Sequence, residues 1–226
     1  MSLPSSNGDR PIRRHDLIFV SPAGWRRLLA ACADPAAEPL LARWVGNGWP
    51  VIGRRPMAGE VSGIPVGLPL PPFAGKSRLS FLLPPADIVA TAPPPLIDDV
   101  MPMAPAAWRH ALGEVEAMAS RHALEARVFG SLAWQALTGL DYLTDRSDLD
   151  LLLELRRETD LQALAEDLAG IEICAPMRLD GELVRPDGAA INWRELRIGT
   201  GEILVKTIGG VALLHRSQFL RGEIRA

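Results

Sequence analysis

The chain has 226 residues, of which 48% are hydrophobic and 23% charged, and its formal net charge is −3 with a pI near 5.8. This length can bury a substantial core in one large domain or two modest ones. The slight acidity argues against a general polyanion binder, and no run of about 18 apolar residues indicates a membrane span. We therefore expect a globular protein that binds neither nucleic acid nor membrane.

The N-terminal part is typical of a small α+β unit. Residues 16–20 predict a strand, and Ser21 followed by Pro22 predicts the start of a helix. A second helix is expected over 38–45. Short apolar runs interrupted by glycine and proline predict further strands over 49–54, 64–68 and 78–83.

A proline-rich segment follows, reading IVATAPPPLIDDVMPMAP over residues 88–105. Proline lacks an N–H donor and biases its predecessor toward extended conformations, which indicates a linker or a crossover along a sheet edge. We predict an N-terminal α+β domain over 1–90, a linker over 91–104 and a catalytic domain over 105–226.

The C-terminal part is more regular. Helices are predicted over 105–123, 132–140, 160–169 and 210–219, with Thr159 and Gln162 forming a capping box for the third. Strands are predicted over 126–129, 147–155, 171–175, 177–184, 189–196 and 203–206. The predicted fold class is α+β, with a mixed sheet backed by helices on one side.

Two short motifs in this part can carry chemistry. Asp148 and Asp150 alternate along a strand, so both carboxylates leave the same face and repel each other unless a cation lies between them. Mg²⁺ is the expected cation, because it prefers oxygen ligands and leaves positions for phosphate oxygens. Gly130 and Ser131, between a strand and a helix, provide a turn and a helix N-terminus suited to anions.

A third carboxylate would strengthen this hypothesis. Asp180 and Glu182 share one face of the predicted strand 177–184, and Asp180 could complete a metal site or deprotonate an attacking hydroxyl. The sequence leaves open which of the two takes the role. The same motifs also occur as ordinary turns and solvated strand faces, so each pattern alone is a weak signal.

The run RVFGSLAWQALTGLDYLTDRSDLDLLLEL at 127–155 resembles the malonate decarboxylase holo-acyl-carrier-protein synthases, or phosphoribosyl-dephospho-CoA transferases, of the nucleotidyltransferase superfamily. The likeness extends to the segments RRHDLIFV, GWPVIGRRP, GIPVGLPLPP, RLDGELVRPDGAAINWREL and EILVKTIGGVALL. It implies transfer of phosphoribosyl-dephospho-CoA from 2'-(5''-triphosphoribosyl)-3'-dephospho-CoA to a serine of the malonate decarboxylase carrier protein, with diphosphate leaving. It also implies that Asp148 and Asp150 are essential.

Several side chains are candidate contacts of the donor. Arg54, Arg55 and Lys206 are candidate phosphate or cofactor ligands, although surface charge at strand ends explains each one equally simply. Trp134 and Trp193 are expected in the core rather than as platforms for adenine.

Other properties follow from what the sequence lacks. Cys32 and Cys174 have no CxxC spacing, and the first residues contain no apolar signal segment, so we expect two buried, reduced thiols in a cytoplasmic protein. Two further hypotheses stay open: a nucleotidyltransferase that uses an ordinary NTP on a small molecule or RNA, and a non-catalytic module that only binds nucleotide or a partner.

Overall fold

The computed structural model describes residues 11–30, 38–197, 201–207 and 210–221. The chain forms two compact units, residues 1–94 and 95–226, and each is described by itself. Both combine a sheet with helices, which confirms the α+β class.

Unit 1 contains, within its described residues, an antiparallel sheet of order β4-β3-β2-β1-β5. Its strands are β1 (Leu17–Val20), β2 (Val51–Gly53), β3 (Ile64–Pro69), β4 (Arg78–Leu83) and β5 (Ile88–Ala92), and its helices are α1 (Pro22–Ala30) and α2 (Glu38–Trp44). The Oγ of Ser21 accepts a 3.0 Å hydrogen bond from the backbone N–H of Gly24. The helix start predicted at Ser21 and Pro22 is therefore confirmed.

Unit 2 contains, among its described residues, a mixed sheet of order β11-β10-β9-β8-β7-β6. Its strands are β6 (Glu125–Phe129), β7 (Leu149–Glu154), β8 (Leu179–Val184), β9 (Ala190–Asn192), β10 (Glu202–Lys206) and β11 (Val211–His215). The helices are α3 (Ile97–Val100), α4 (Arg109–Arg121), α5 (Gly130–Thr138), α6 (Leu161–Cys174) and α7 (Arg216–Arg221). The β7–β8 pair is parallel, and the other described pairs in this sheet are antiparallel.

One face of this sheet is packed against helices. Leu149, Leu151 and Leu153 of β7 are fully buried in a core shared with α4 and α6. Because side chains alternate along a strand, Asp150 leaves from the opposite face. The hydrophobic alternation of residues 149–153 therefore determines which face carries the carboxylates.

The proline-rich segment differs from the predicted linker over 91–104. Its beginning pairs with β1 as strand β5, and its later residues form α3. Between them, the carbonyl of Pro95 accepts a 2.8 Å hydrogen bond from Val128, and Leu96 bridges to Arg127 at the edge of β6. An extended backbone, which prolines favour, suits both the end of one strand and pairing along another.

Four predictions in unit 2 are wrong. Residues 171–174 continue α6 instead of forming a strand. The residue that caps the start of α6 is Asp160 rather than Thr159, because the Asp160 carboxylate accepts hydrogen bonds from the backbone N–H groups of Gln162 and Ala163 at 3.0 and 3.1 Å. Residues 211–215 are strand β11 rather than helix, because they pair with β10 along its whole length. The predicted strand 189–196 ends at Asn192 and continues as a 3₁₀ helix.

Two sequence expectations concern features outside the core. Cys174 is an exposed free thiol, so its predicted burial is wrong, whereas Cys32 lies outside the described residues. Within the described part of the chain, every helix is too short or too polar to cross a membrane.

Candidate active site

The glycine-serine turn lies against the second aspartate of the D-x-D motif. Gly130 has φ 67° and begins α5, and Phe129 immediately before it is paired with Asp150 across β6 and β7. A β-carbon added to Gly130 would stand 1.8 Å from Oδ2 of Asp150. Only glycine leaves room for this carboxylate at the helix start, where the dipole of α5 favours negative charge.

Asp150 and Asp180 occupy matching positions on adjacent parallel strands. The register of β7 and β8 pairs Asp150 with Asp180, so their side chains leave the same face from Cα atoms about 5 Å apart. Both residues are half-buried. Glu182 instead pairs in register with Leu152, which places Asp180 rather than Glu182 beside the motif.

Asp148, just before β7, is held by an arginine that the sequence analysis did not single out. Oδ2 of Asp148 accepts a 2.6 Å hydrogen bond from Nη2 of Arg178, and the same nitrogen lies 3.9 Å from Oδ2 of Asp180. The contact with Asp148 is the main cause of a raised pKa at Arg178. One guanidinium thus lies between two of the three predicted site carboxylates.

A second unpredicted residue holds Asp180. Nδ2 of Asn192 donates a 2.6 Å hydrogen bond to Oδ1 of Asp180, while Oδ1 of Asn192 accepts from the backbone N–H of Arg194 at 3.0 Å. Asn192 therefore caps the 3₁₀ helix Trp193–Leu196 and orients a site carboxylate at the same time. An asparagine that ends a short strand is a typical capping signal, and it could have been found from the sequence.

The predicted phosphate ligand Lys206 forms an ion pair within the sheet. Its Nζ donates to Oε1 of Glu182 at 2.7 Å, and the Glu182 side chain is only 7% exposed. The pair joins β8 and β10 across the intervening strand β9, and Glu182 lies two residues after Asp180 along β8. The arrangement gives Lys206 a structural contact that the sequence analysis did not predict.

Arg54 and Arg55 belong to unit 1. All five N–H donors of Arg54 are engaged: Nε donates to Val66, Nη1 to Arg55 and Glu60, and Nη2 to Glu60 and Phe81, over 2.6–3.3 Å. A phosphate would have to displace one of these bonds. Arg54 therefore holds β2, β3 and β4 together in the described arrangement, and Arg55 contributes its carbonyl to this network.

The two tryptophans weighed as adenine platforms are core residues, as predicted. Trp134 is 3% exposed and stacks on Tyr142 with 6.0 Å between ring centroids. Trp193 is fully buried, and its Nε1 donates to the carbonyl of Leu179 at 3.1 Å. Neither ring offers a face to a ligand.

A cavity of about 440 Å³ lies at the start of β7 and β8. Asp148 and Arg178 are part of its wall, which joins the cavity to the carboxylate site. Its remaining lining combines apolar residues (Pro105, Trp108, Leu143, Pro176 and Met177) with polar ones (Thr144, Asp145, Arg146 and Ser147). Such a cavity falls in the size range of small-molecule sites.

The carboxylates fit a Mg²⁺ ion with few protein ligands. The described residues contain no group of three His, Cys, Asp or Glu side chains arranged around one metal position. Magnesium is, however, commonly bound by one or two carboxylates together with substrate phosphates and water. Asp148 and Asp150 are the carboxylates that would hold such an ion.

Comparisons with known proteins cover the same two units. Residues 13–94 match the family model for the phosphoribosyl-dephospho-CoA transferase MdcG N-terminal domain, and residues 95–217 match that for its C-terminal domain. No solved structure matches the chain.

Curated relatives extend this likeness to nearly the whole chain. A protein of Bradyrhizobium diazoefficiens named phosphoribosyl-dephospho-CoA transferase is 53% identical over 98% of both chains. Proteins of the same name from Xanthomonas campestris pv. campestris and Xanthomonas euvesicatoria pv. vesicatoria are 39% and 38% identical, over 81% and 90% of this chain and 86% and 94% of their own.

The family models and these relatives together define a transferase. More narrowly, the chain belongs to the phosphoribosyl-dephospho-CoA transferase family.

Proposed function

We propose that this chain transfers the phosphoribosyl-dephospho-CoA group from 2'-(5''-triphosphoribosyl)-3'-dephospho-CoA to a serine of the malonate decarboxylase acyl carrier protein, releasing diphosphate. The observation that carries the proposal is the 53% identity, over 98% of both chains, to a protein named for this transferase activity. The donor's triphosphate, the carrier serine and the release of diphosphate come from the sequence resemblance.

The site geometry supports phosphoryl transfer of this kind. In the proposed step the serine oxygen bonds to the α-phosphorus, and the bond from that phosphorus to the diphosphate oxygen breaks. Asp148 and Asp150 hold Mg²⁺, and Asp180 either accepts the serine proton or serves as a third ligand. The metal supplies neutralisation of charge on the phosphoryl oxygens.

The turn at Gly130 and Ser131 has a separate role in the proposal. The first N–H groups of α5 and the Ser131 hydroxyl hold the oxygens of the leaving diphosphate, because a helix N-terminus favours anions. Close approach is possible only because Gly130 lacks a side chain. In this proposal the contribution of Lys206 is its ion pair with Glu182, which lies beside Asp180 on β8.

The test is the mass of purified apo carrier protein after incubation with this chain, Mg²⁺ and the donor. We expect a gain equal to phosphoribosyl-dephospho-CoA, lost with Asp148→Asn and Asp150→Asn and retained with Asp141→Asn, an exposed aspartate outside the site. No gain with wild-type enzyme and verified donor would overturn the proposal. A gain of a nucleotide mass from an ordinary NTP would favour the wider nucleotidyltransferase hypothesis instead.

A further inference from the structure

Arg178 combines two properties that a purely structural ion pair does not need. Its Nη2 is 2.6 Å from Oδ2 of Asp148 and 3.9 Å from Oδ2 of Asp180, so one guanidinium compensates two carboxylates of the site. Its side chain is nevertheless 58% exposed, against 33% for Asp148. Arg178 can therefore leave this position without abandoning a buried location.

We propose that Arg178 is a phosphate-binding residue that Asp148 holds until a divalent cation takes over the carboxylate. This inference rests on the proposed function, both for the cation at Asp148 and for the identity of the phosphate compound. Two positive groups cannot both bind the Asp148 oxygen that Arg178 now occupies, because they repel each other and compete for the same lone pairs.

The guanidinium of Arg178 can move into the adjacent cavity once it leaves Asp148. Arg178 is part of its wall together with Thr144, Arg146 and Ser147, which provide hydroxyl groups and a second guanidinium. This combination of donors suits oxyanions, and arginine binds phosphate through two parallel hydrogen bonds. Asp145 lies in the same wall and adds a negative charge, so binding here depends on a metal-bound phosphate rather than on any free anion.

The exchange gives Arg178 opposite effects on two ligands. Arg178 lowers the affinity for the cation, because the cation must displace the guanidinium from Asp148. Arg178 raises the affinity for the phosphate, because the displaced guanidinium can then bind the phosphate. A residue that only stabilises the fold would shift both affinities in the same direction or neither. The two affinities can be measured separately, with Mn²⁺ alone and with Mg²⁺ plus inorganic diphosphate.

The experiment uses the full chain and Arg178→Gln. We expect Mn²⁺, measured by electron paramagnetic resonance without any phosphate, to bind about threefold more tightly than to wild type, as for loss of a partly exposed ion pair. Diphosphate in saturating Mg²⁺, measured by calorimetry, should bind at least about tenfold more weakly. Arg157→Gln is the matched control, an exposed arginine beyond the opposite end of β7, and should change neither value.

Unchanged or weaker Mn²⁺ binding in a folded Arg178→Gln variant would overturn the exchange, and unchanged diphosphate binding would overturn the phosphate role. If Arg178→Gln does not fold, the same two binding measurements on Arg178→Lys test the proposal. This variant keeps the charge but loses the bidentate geometry, so diphosphate binding must fall while Mn²⁺ binding stays close to wild type. Because neither measurement uses the carrier or the CoA-derived donor, failure of the proposed transfer reaction would be recognised separately.

Discussion

Asn192 donates a 2.6 Å hydrogen bond from its side-chain amide to Oδ1 of Asp180. The orientation of this amide is fixed, because its oxygen accepts the backbone N–H of Arg194 at 3.0 Å. Oδ1 of Asp180 is thereby occupied, and Oδ2 is the oxygen 3.9 Å from Arg178. One strand-ending asparagine therefore determines which oxygen of Asp180 can serve the proposed reaction.

Replacing Asn192 tests this relationship. Asn192→Asp keeps an oxygen to cap the 3₁₀ helix but removes the amide donor and places a second carboxylate against Asp180, so that two negative charges repel each other there. We expect kcat to fall by about 10- to 100-fold at neutral pH, with the acidic limb of the pH–rate profile moved to higher pH. A lower melting temperature with an unchanged pH profile would instead show that Asn192 only stabilises the fold.

Gly130 is the position where the smallest substitution should have the largest effect. In Gly130→Ala the new methyl group would lie 1.8 Å from Oδ2 of Asp150, so the carboxylate must move. We expect the transfer rate to fall more than about 100-fold, a loss of the size seen when aligned reacting groups are displaced.

Gly139→Ala provides the control for backbone strain. Gly139 also has positive φ, at 71°, but nothing lies within 4 Å of its added β-carbon. Both variants should lose about 1 kcal/mol of unfolding free energy to left-handed strain, measured by urea denaturation. Comparable activity in the two variants would contradict the proposed contact between the turn and Asp150.

The Lys206–Glu182 pair makes a prediction about stability. Lys206→Met leaves a carboxylate that is only 7% exposed without its lysine, so we expect a loss of about 2–3 kcal/mol in unfolding free energy, below the cost for a wholly buried pair. The double variant with Glu182→Gln should regain most of this loss. A raised KM for the donor with unchanged unfolding free energy would instead assign Lys206 to phosphate binding.

In unit 1, the Arg54–Glu60 pair makes stability depend on acid pH. The hydrogen bond from Arg54, followed by that from Met57, lowers the pKa of Glu60 from 4.5 to about 2. A depressed carboxyl pKa stabilises the fold above its unfolded value, and this contribution is lost as pH falls from 4.5 toward 2. The melting temperature of wild type should therefore be higher than that of Glu60→Gln at neutral pH. The difference between the two melting temperatures should decrease as the pH falls from 4.5 toward 2. A constant difference would disprove the linkage.

The secondary structure around the two motifs could be predicted because both motifs are local. Gly130 and Ser131 follow the strand β6 at the start of α5, and Asp150 alternates with the leucines of β7, while Asp148 lies just before this strand. Arg178 and Asn192 were missed because their roles depend on which strands are neighbours. Aligning SDLD with MRLD as parallel strands would have placed Arg178 opposite Asp148, but nothing in the sequence states that β7 and β8 are parallel.

The errors in secondary structure have the same origin. Residues 171–174 alternate in polarity, yet they continue α6, whose side chains Leu164 and Leu168 pack into the core. Residues 211–215 could begin a helix, but pairing with β10 provides hydrogen bonds along five successive residues. In both cases packing or strand pairing overrides a local preference.

The parallel register of β7 and β8 also makes the site unusually intolerant of small insertions. A shift of β8 by one residue would turn Asp180 into the leucine-rich core and present Leu179 or Gly181 in its place, while Gly181 would lose its position against the ring of Trp193. Residues 175–178 connect α6 to this strand and determine its register. Length variation in this short connection should therefore be rejected by selection.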